Sequence, residues 1–489
     1  MNLDELRRDY DIVPIVRELS ADALTPVAAF AALSGDTNDA FLFESVERGE
    51  NLGRHSFVGF NPRRTLKFDR NTPDPAGLLK EELHPLRVYN EHLLPPFCGG
   101  AVGFFGHGVA GWTERIPDSH PDDLSIPDAT LLFFDNVAVF DHIKQRLYLV
   151  SNIFTKDPGA SIAEAEARLD RAVEKLRNAS VDLFQMPADV EQVDLRSNFE
   201  RPDFEAMVRE AKEEIAAGEI YQIVLSQRFE TEYPTAEALT LYRALRSVNP
   251  SPYMFLLRTA ECTLVGASPE MLVRVEDGIA ETRPLAGTRW RGATREEDAQ
   301  LEAALLADPK ENAEHLMLVD LGRNDLGRVC KSGSVNVTRF CYVERYSHVM
   351  HLVTDVNGQL RDDRTSVDAF LSCFPAGTLT GAPKIRAMEL IDRFEKSRRG
   401  PYGGAVAYFG FSGNLDSAIT IRTAVLTHDR AYVQAGGGIV YDSDPAYEYN
   451  ESVNKAAALR KAISLAKAML AQPRNAPAGS RTYGATRRP

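Results

Sequence analysis

The sequence predicts an α+β fold built largely on antiparallel strands. Three observations carry that expectation. Strand-like segments occur in both halves of the chain, and helical segments fall among them irregularly rather than in strict alternation. Between two of the later strand-like segments, Ser412-Gly413-Asn414 has the composition of a hairpin turn.

Taken in order, residues 39–150 alternate short apolar runs with turn residues. Ala40-Phe41-Leu42-Phe43, Ser56-Phe57-Val58-Gly59-Phe60 and Leu131-Leu132-Phe133-Phe134 are examples, so this stretch reads as strand-rich with few long helices. Residues 160–178 put Ile162, Ala165, Leu169, Val173 and Leu176 at helical spacing. Residues 186–203 are polar and contain proline, which marks a boundary between a first part, 1–190, and a second, 196–470. The second part opens on a helix with Phe204, Met207, Val208, Ala211 and Ile215 on one stripe and Gly218 after it. Residues 262–275, 403–411, 418–427 and 431–441 read as strands. Residues 472–489, rich in Pro, Gly, Ser and Arg without periodicity, are expected to be a disordered tail.

Composition narrows the class. The 489 residues are 44% hydrophobic and 26% charged, enough apolar material for a sizeable core. A net charge of -14 and a pI near 5.3 argue against binding nucleic acid or an anionic membrane. No apolar run approaches the roughly 18 residues of a membrane span, and the first residues lack a secretory signal. Five scattered cysteines without metal-ligand spacing read as reduced thiols, and the expected location is the cytoplasm.

The residues that can carry chemistry begin with two glutamate pairs. Glu311 with Glu314, and Glu448 with Glu451, each stand three apart just after an Asp-Pro helix start, so each pair shares a helix face. Two such faces turned toward each other would offer four carboxylates to a cation such as Mg²⁺. The alternatives are structural. Glu311 can reach back as the third residue of a capped helix, and Glu451 can pair with Lys455 four residues on.

In Tyr221-Gln222-Ile223-Val224-Leu225-Ser226-Gln227-Arg228, strand periodicity groups Gln222, Val224, Ser226 and Arg228 on a largely polar face, turned to water or to a hydrated cleft. Arg422, read within a strand, stands above the small residues Ala418, Thr420 and Ala424. It suits either a ligand carboxylate or a structural ion pair. Gly436-Gly437-Gly438 lets backbone N–H groups approach an anion, or marks a bend. His351 is a candidate acid or base, or a structural histidine. Gly377-Thr378-Leu379-Thr380-Gly381-Ala382-Pro383-Lys384 fails the phosphate-loop pattern, since no Lys-Ser/Thr follows a second glycine at the required spacing.

In this order, the pieces resemble the chorismate-utilising enzymes, and among them most closely the large subunits of anthranilate synthases. The resemblance spans roughly residues 11–470. It rests on Phe43-Glu44-Ser45, Asn249-Pro250-Ser251-Pro252-Tyr253-Met254-Phe255, Gly266-Ala267-Ser268-Pro269-Glu270, Arg283-Pro284-Leu285-Ala286-Gly287-Thr288-Arg289, Glu314-His315-Leu316-Met317-Leu318-Val319-Asp320-Leu321 and the 377–384 segment. It implies an antiparallel β-sandwich flanked by helices, with the site in a cleft between the sheets.

By that resemblance Glu314 and Glu451 hold Mg²⁺, supported by Glu311 and Glu448. Gly287, Thr288, Tyr402, Arg422, Gly436, Gly437, Gly438 and Lys455 bind chorismate. Glu270 assists departure of the ring hydroxyl, His351 and Thr378 assist loss of pyruvate, and Gln222 stands where water-using relatives carry a lysine base. Feedback control by tryptophan is implied at Ser45, Pro252, Tyr253 and Met254. No glutamine-hydrolysing segment is visible, so a separate amidotransferase subunit is expected to deliver ammonia. Competing expectations are an aminodeoxychorismate or aminodeoxyisochorismate synthase, a water-using isochorismate or salicylate synthase, and a silent chorismate- or tryptophan-sensing protein.

Overall fold

The computed structural model describes residues 3–35, 39–46, 53–187, 189–346 and 349–472. The expected tail therefore falls outside the described residues from 473 onward. Gln472 itself is held, exchanging hydrogen bonds with the backbone of Gln185.

Two large sheets form the frame, and every strand ladder among the described residues is antiparallel. The first has twelve strands. Its order runs Ile12–Ser20, Arg146–Phe154, Asn136–Asp141, His55–Phe60, Ala40–Glu44, Tyr253–Arg258, Thr263–Ser268, Thr423–Thr427, Arg430–Ile439, Gln222–Glu232 and Gly381–Ala382, with Arg196–Ser197 paired onto Gln222–Glu232. The second has ten. Its order runs Leu285–Trp290, Val349–Gln359, Ile279–Thr282, Met271–Glu276, Leu415–Ile419, Ala405–Gly410, Gly100–Phe105, Ala129–Phe134 and Arg64–Phe68, with Asn336–Arg345 added beside Val349–Gln359. Both sheets mix strands from before and after residue 190. Met254 pairs with Glu44 in one, and Ala405 with Phe105 in the other.

The apolar runs follow from burial on both strand faces. Phe41 joins Phe57, Phe104, Phe134, Phe255 and Tyr408 in an aromatic layer between the sheets. Ala40 and Leu42, on the opposite face of the same strand, pack outward against helices. Those helices include Ile162–Arg177, where Ala165, Leu169 and Leu176 of the expected stripe are buried, with Ala172 in addition and Ile162 and Val173 partly buried, and Pro445–Leu470. Helix Arg201–Ala216 buries Phe204, Met207, Val208 and Ala211, and Gly218 follows it at φ 83°. The hairpin also forms. The Gly410 N–H donates to Asn414 O across Ser412-Gly413-Asn414, with Gly413 at φ 102°.

Two segments expected as single strands are each divided. Residues 262–275 form Thr263–Ser268 in the twelve-stranded sheet and Met271–Glu276 in the ten-stranded sheet. Residues 418–427 end one strand at Ile419 and start another, in the other sheet, at Thr423. Arg422 sits in this second crossing at φ 49°, so the shared face with Ala418, Thr420 and Ala424 does not exist. An apolar run that changes sheets looks the same in sequence as one that does not.

The polar face of Gln222–Glu232 also differs from expectation. On the face expected to meet water or a hydrated cleft, Ser226 is fully buried, as is Gln227 on the opposite face. Ser226 donates from both its backbone N–H and its hydroxyl to Glu395, and Gln227 donates to Ser452. Polar residues buried beneath covering elements are held in hydrogen bonds rather than left unpaired.

Candidate active site

The two crossings between the sheets run side by side and build one corner of the site. Ile419 N–H donates to Glu270 O at 3.0 Å, and Ala267 N–H donates to Arg422 O at 3.1 Å. Glu270 and Arg422 thus emerge from neighbouring corners of the sandwich, where side chains escape the pleat. Glu270 is half-buried and accepts from Thr378 Oγ1 at 2.9 Å. Burial pushes its carboxyl up to about 7, against the opposing pull of the Thr378 hydrogen bond and the positive charges of Arg422 and Lys455.

Opposite them, the ten-stranded sheet pairs Thr288 with His351. His351 Nδ1 lies 2.9 Å from Gly287 O and 3.2 Å from Thr288 Oγ1. A carbonyl can only accept, so the Nδ1 position carries the proton and Nε2 presents a lone pair. Burial lowers the His351 pKa, which keeps the ring neutral despite the Gly287 bond that favours the charged form.

The twelve-stranded sheet supplies Gln222 and the glycines. Gly436, Gly437 and Gly438 lie inside strand Arg430–Ile439 rather than after it. Their lack of side chains is spatially required at two positions. A Cβ on Gly437 would stand 2.8 Å from Glu448 Oε2, and one on Gly438 would stand 2.6 Å from Gln222 Nε2. Gln222 Nε2 in turn reaches Glu314 Oε1 at 3.4 Å. Lys455 Nζ donates to Gly436 O at 2.9 Å and pairs with Glu451 at 2.7 Å. Tyr402 is buried nearby in sequence terms of Arg399, whose guanidinium lies 5.6 Å from its ring centroid.

Both Asp-Pro helix starts form as read. Asp308 caps Pro309–Gly327 by accepting from Lys310 and Glu311 N–H, and Asp444 caps Pro445–Leu470 by accepting from Tyr447 N–H. Glu311 pairs with Arg289 at 3.3 Å and does not reach back to the cap. Glu448 is buried, and its Oε2 has no hydrogen-bond partner. Burial raises its pKa, offset by a Ser443 hydrogen bond and reinforced by Glu451, while Lys310 from the other helix start also acts on it. As placed, no three Asp, Glu, His or Cys side chains among the described residues stand together as a metal cluster.

The Ser45, Pro252, Tyr253 and Met254 group lines a separate cavity of about 700 Å³ between the sheets. Ser45 Oγ is buried there without a partner. Tyr253 donates its hydroxyl to Asp416 at 3.3 Å, and burial pushes Asp416 up to about 6.

Sequence reading missed Arg399. It is fully buried and forms a bidentate pair with Glu395 at 2.9 and 2.6 Å. It also donates to Leu379 O and Val224 O, each at 2.7 Å. One side chain therefore ties the Thr378 turn to the Gln222 strand and to the Tyr402 turn. Its partners lie 4, 20 and 175 residues away, a pattern invisible in one dimension.

The chain matches known proteins over most of its length. Residues 38–461 match the family model described as chorismate binding enzyme. The anthranilate synthase component 1 of Acetivibrio thermocellus is 45% identical, covering 94% of this chain and 98% of that protein. Its counterpart from Aquifex aeolicus is 43% identical over 96% and 98%. The crystal structure of anthranilate synthase component I from Streptococcus pneumoniae superposes with a TM-score of 0.76 at 37% identity, covering 90% of this chain and 99% of that one. The menaquinone-specific isochorismate synthase of Escherichia coli shares the fold at a TM-score of 0.70 and 20% identity.

The chain belongs to the chorismate-binding enzymes. Within them it groups with the anthranilate synthase component 1 proteins, and it is an enzyme of the anthranilate synthase type. Among its described residues no helix is long and apolar enough to cross a membrane. All five cysteines are free.

Proposed function

We propose that this chain converts chorismate and ammonia to anthranilate, pyruvate and water, the entry step of tryptophan biosynthesis. One observation carries the reading: Glu270, with an acid pKa of about 7, recessed at the sheet corner beside Arg422 and Lys455 and hydrogen-bonded to Thr378. Hydroxide leaves poorly, and a carboxyl still protonated near neutrality can donate its proton to the departing ring hydroxyl as ammonia adds at C2. The Glu270 carboxylate takes back a proton from the added nitrogen; the neutral His351 Nε2 then takes the ring proton at C2 as the C3–O bond breaks, and that proton returns to the departing enolate to give pyruvate. Arg422, Tyr402, Lys455, Gly287, Thr288 and the glycines 436 to 438 hold the dianionic substrate.

The donor chemistry fits Mg²⁺. The four glutamates offer only hard oxygen donors, and Glu448 Oε2 is a buried oxygen without a partner. Glu314 and Glu451 would hold the ion, with Glu311 and Glu448 behind them. Glu451 would give up Lys455 to do so. Bound there, the ion supplies charge neutralisation at the ring carboxylate and withdraws electron density from the diene.

Gln222 and Ala286 favour ammonia and anthranilate over the alternatives. An amide cannot serve as the base that water needs, and alanine cannot form a covalent bond to the ring. The amide Gln222 contacts Glu314, and Ala286 pairs with Leu352. The 700 Å³ cavity, with Ser45 Oγ unpaired, is the proposed tryptophan site. On this reading the first part, 1–190, is regulatory and 196–470 catalytic. A separate glutamine amidotransferase supplies ammonia, and the enzyme works in the cytoplasm. Incubation with chorismate, ammonium and Mg²⁺, followed by fluorescence and mass identification, tests the assignment. Anthranilate is the expected product, and 4-amino-4-deoxychorismate or isochorismate as the main product would overturn it.

A further inference from the structure

A second, much smaller cavity lies behind Tyr402. Arg228, Arg399, Tyr402, Thr420 and Gln434 are among its walls, and it leaves about 10 Å³ for the centres of water-sized molecules. That is room for about one such molecule. Two of its wall residues each keep a buried oxygen with no hydrogen-bond partner: Thr420 Oγ1 and Gln434 Oε1. Such groups are uncommon, and each calls for an occupant.

The orientation of the Gln434 amide is fixed by its neighbours. Ser226 Oγ donates its single proton to Glu395 Oε1 at 2.7 Å, so it can only accept from Gln434 Nε2, which lies at 2.8 Å. The Gln434 carbonyl oxygen is left over as an acceptor. Thr420 is pinned as well, its backbone N–H donating to Gly404 O and its carbonyl accepting from Gly403 N–H. Gln434 Oε1 therefore requires a donor, and Thr420 Oγ1, on a backbone held at both its N–H and its carbonyl, can accept from the same small molecule.

The electrostatics select a neutral occupant. No carboxylate is among the wall residues, and both guanidiniums are already paired, Arg399 with Glu395 and Arg228 with Asp123. A dehydrated cation would find no counter-charge there. A neutral molecule with two or more N–H or O–H donors would satisfy both oxygens.

Resting on the reaction proposed above, we infer that this pocket holds the ammonia molecule before it attacks the substrate. Two N–H groups donate to Gln434 Oε1 and Thr420 Oγ1, and the nitrogen lone pair stays free. Tyr402 forms a wall of the pocket and belongs to the proposed substrate site, so this one side chain stands between the waiting nucleophile and the substrate. Water has similar donors and is the competitor that the experiment separates.

Initial rates of anthranilate formation are measured for the wild type, Thr420→Val, Thr420→Ser and Gln434→Leu, varying ammonium and chorismate separately at fixed pH. Thr420→Val and Gln434→Leu should each raise the KM for ammonia roughly three- to tenfold, the loss of one ordinary hydrogen bond. The KM for chorismate should stay at its wild-type value, and Thr420→Ser, which keeps the oxygen, should behave as wild type. Thr420→Val should also unfold at or above the wild-type temperature, because it deletes an oxygen that has no protein partner. An unchanged ammonia KM in both variants overturns the pocket and leaves a structural water there. An equal rise in both substrates' KM overturns it too, by indicating a distorted site. Failure of the wild type to make anthranilate is a different result, and it removes the proposed reaction and the pocket together.

Discussion

At Glu270 the proposed chemistry depends on a single proton. Its carboxyl, raised to about 7 by burial, must be protonated to act as an acid, and the protonated fraction falls as pH rises through that value. At constant free ammonia, kcat/KM for chorismate should therefore decline tenfold per pH unit above about 7, a limb checked by a pH–rate profile. Thr378→Val removes a hydrogen bond that favours the carboxylate, so the same limb should move to higher pH. A profile that rises through this range and flattens would remove Glu270 as the acid. Glu314→Gln or Glu451→Gln keeps shape and deletes a charge, so Mg²⁺ binding by calorimetry should weaken at least about tenfold while the fold is retained. Unaltered metal affinity in both variants would detach these residues from the ion.

Between elements, the Arg399 clamp is the most consequential contact. It closes the Lys384–Phe394 helix end, the Thr378 turn and the Gln222 strand around one guanidinium. Arg399→Leu would leave the Glu395 carboxylate buried and unpaired, together with two carbonyls that lose their donors. Breaking a buried pair from one side costs about 3–5 kcal/mol, and denaturant unfolding should register a loss of that size. Arg399→Lys restores the charge but not the planar fork, and should recover part of it. The caps act on a smaller scale. Asp308 both caps its helix and pairs with Arg289, so it helps set the angle at which Glu311 and Glu314 present themselves.

Across the whole molecule, the shared sheets connect the two cavities. Tyr253, in the large cavity, is bonded to Asp416, and Asp416 lies in the strand that ends at Ile419, just before Thr420 and Arg422. The 700 Å³ cavity and the corner that carries Thr420 and Arg422 thus share one strand. Ser45→Phe should fill part of that cavity, raising the tryptophan concentration for half-inhibition at least about tenfold while leaving uninhibited turnover near wild type. An enzyme already indifferent to tryptophan would take away the basis for this expectation.

The sequence by itself determined the local structure. Apolar stripes at helical spacing specified Ile162–Arg177 and Arg201–Ala216, Asp-Pro starts specified two capped helices, and a Ser-Gly-Asn turn specified a hairpin. Each depends on contacts between near neighbours, which one dimension records. Ordered motifs also carried the family, because they preserve side chains whose spacing in the chain reflects a shared fold. Only the tertiary structure decided that Thr263–Ser268 and Met271–Glu276 belong to different sheets, and that Arg422 turns a corner rather than lining a strand. It alone decided that Ser226 is buried, and that Arg399 joins partners up to 175 residues apart. Hydrophobic pattern reports whether a residue is covered, not by which partner. The corners, clamps and cavities that make this site arise from contacts between distant segments, and those exist only once the two sheets have packed.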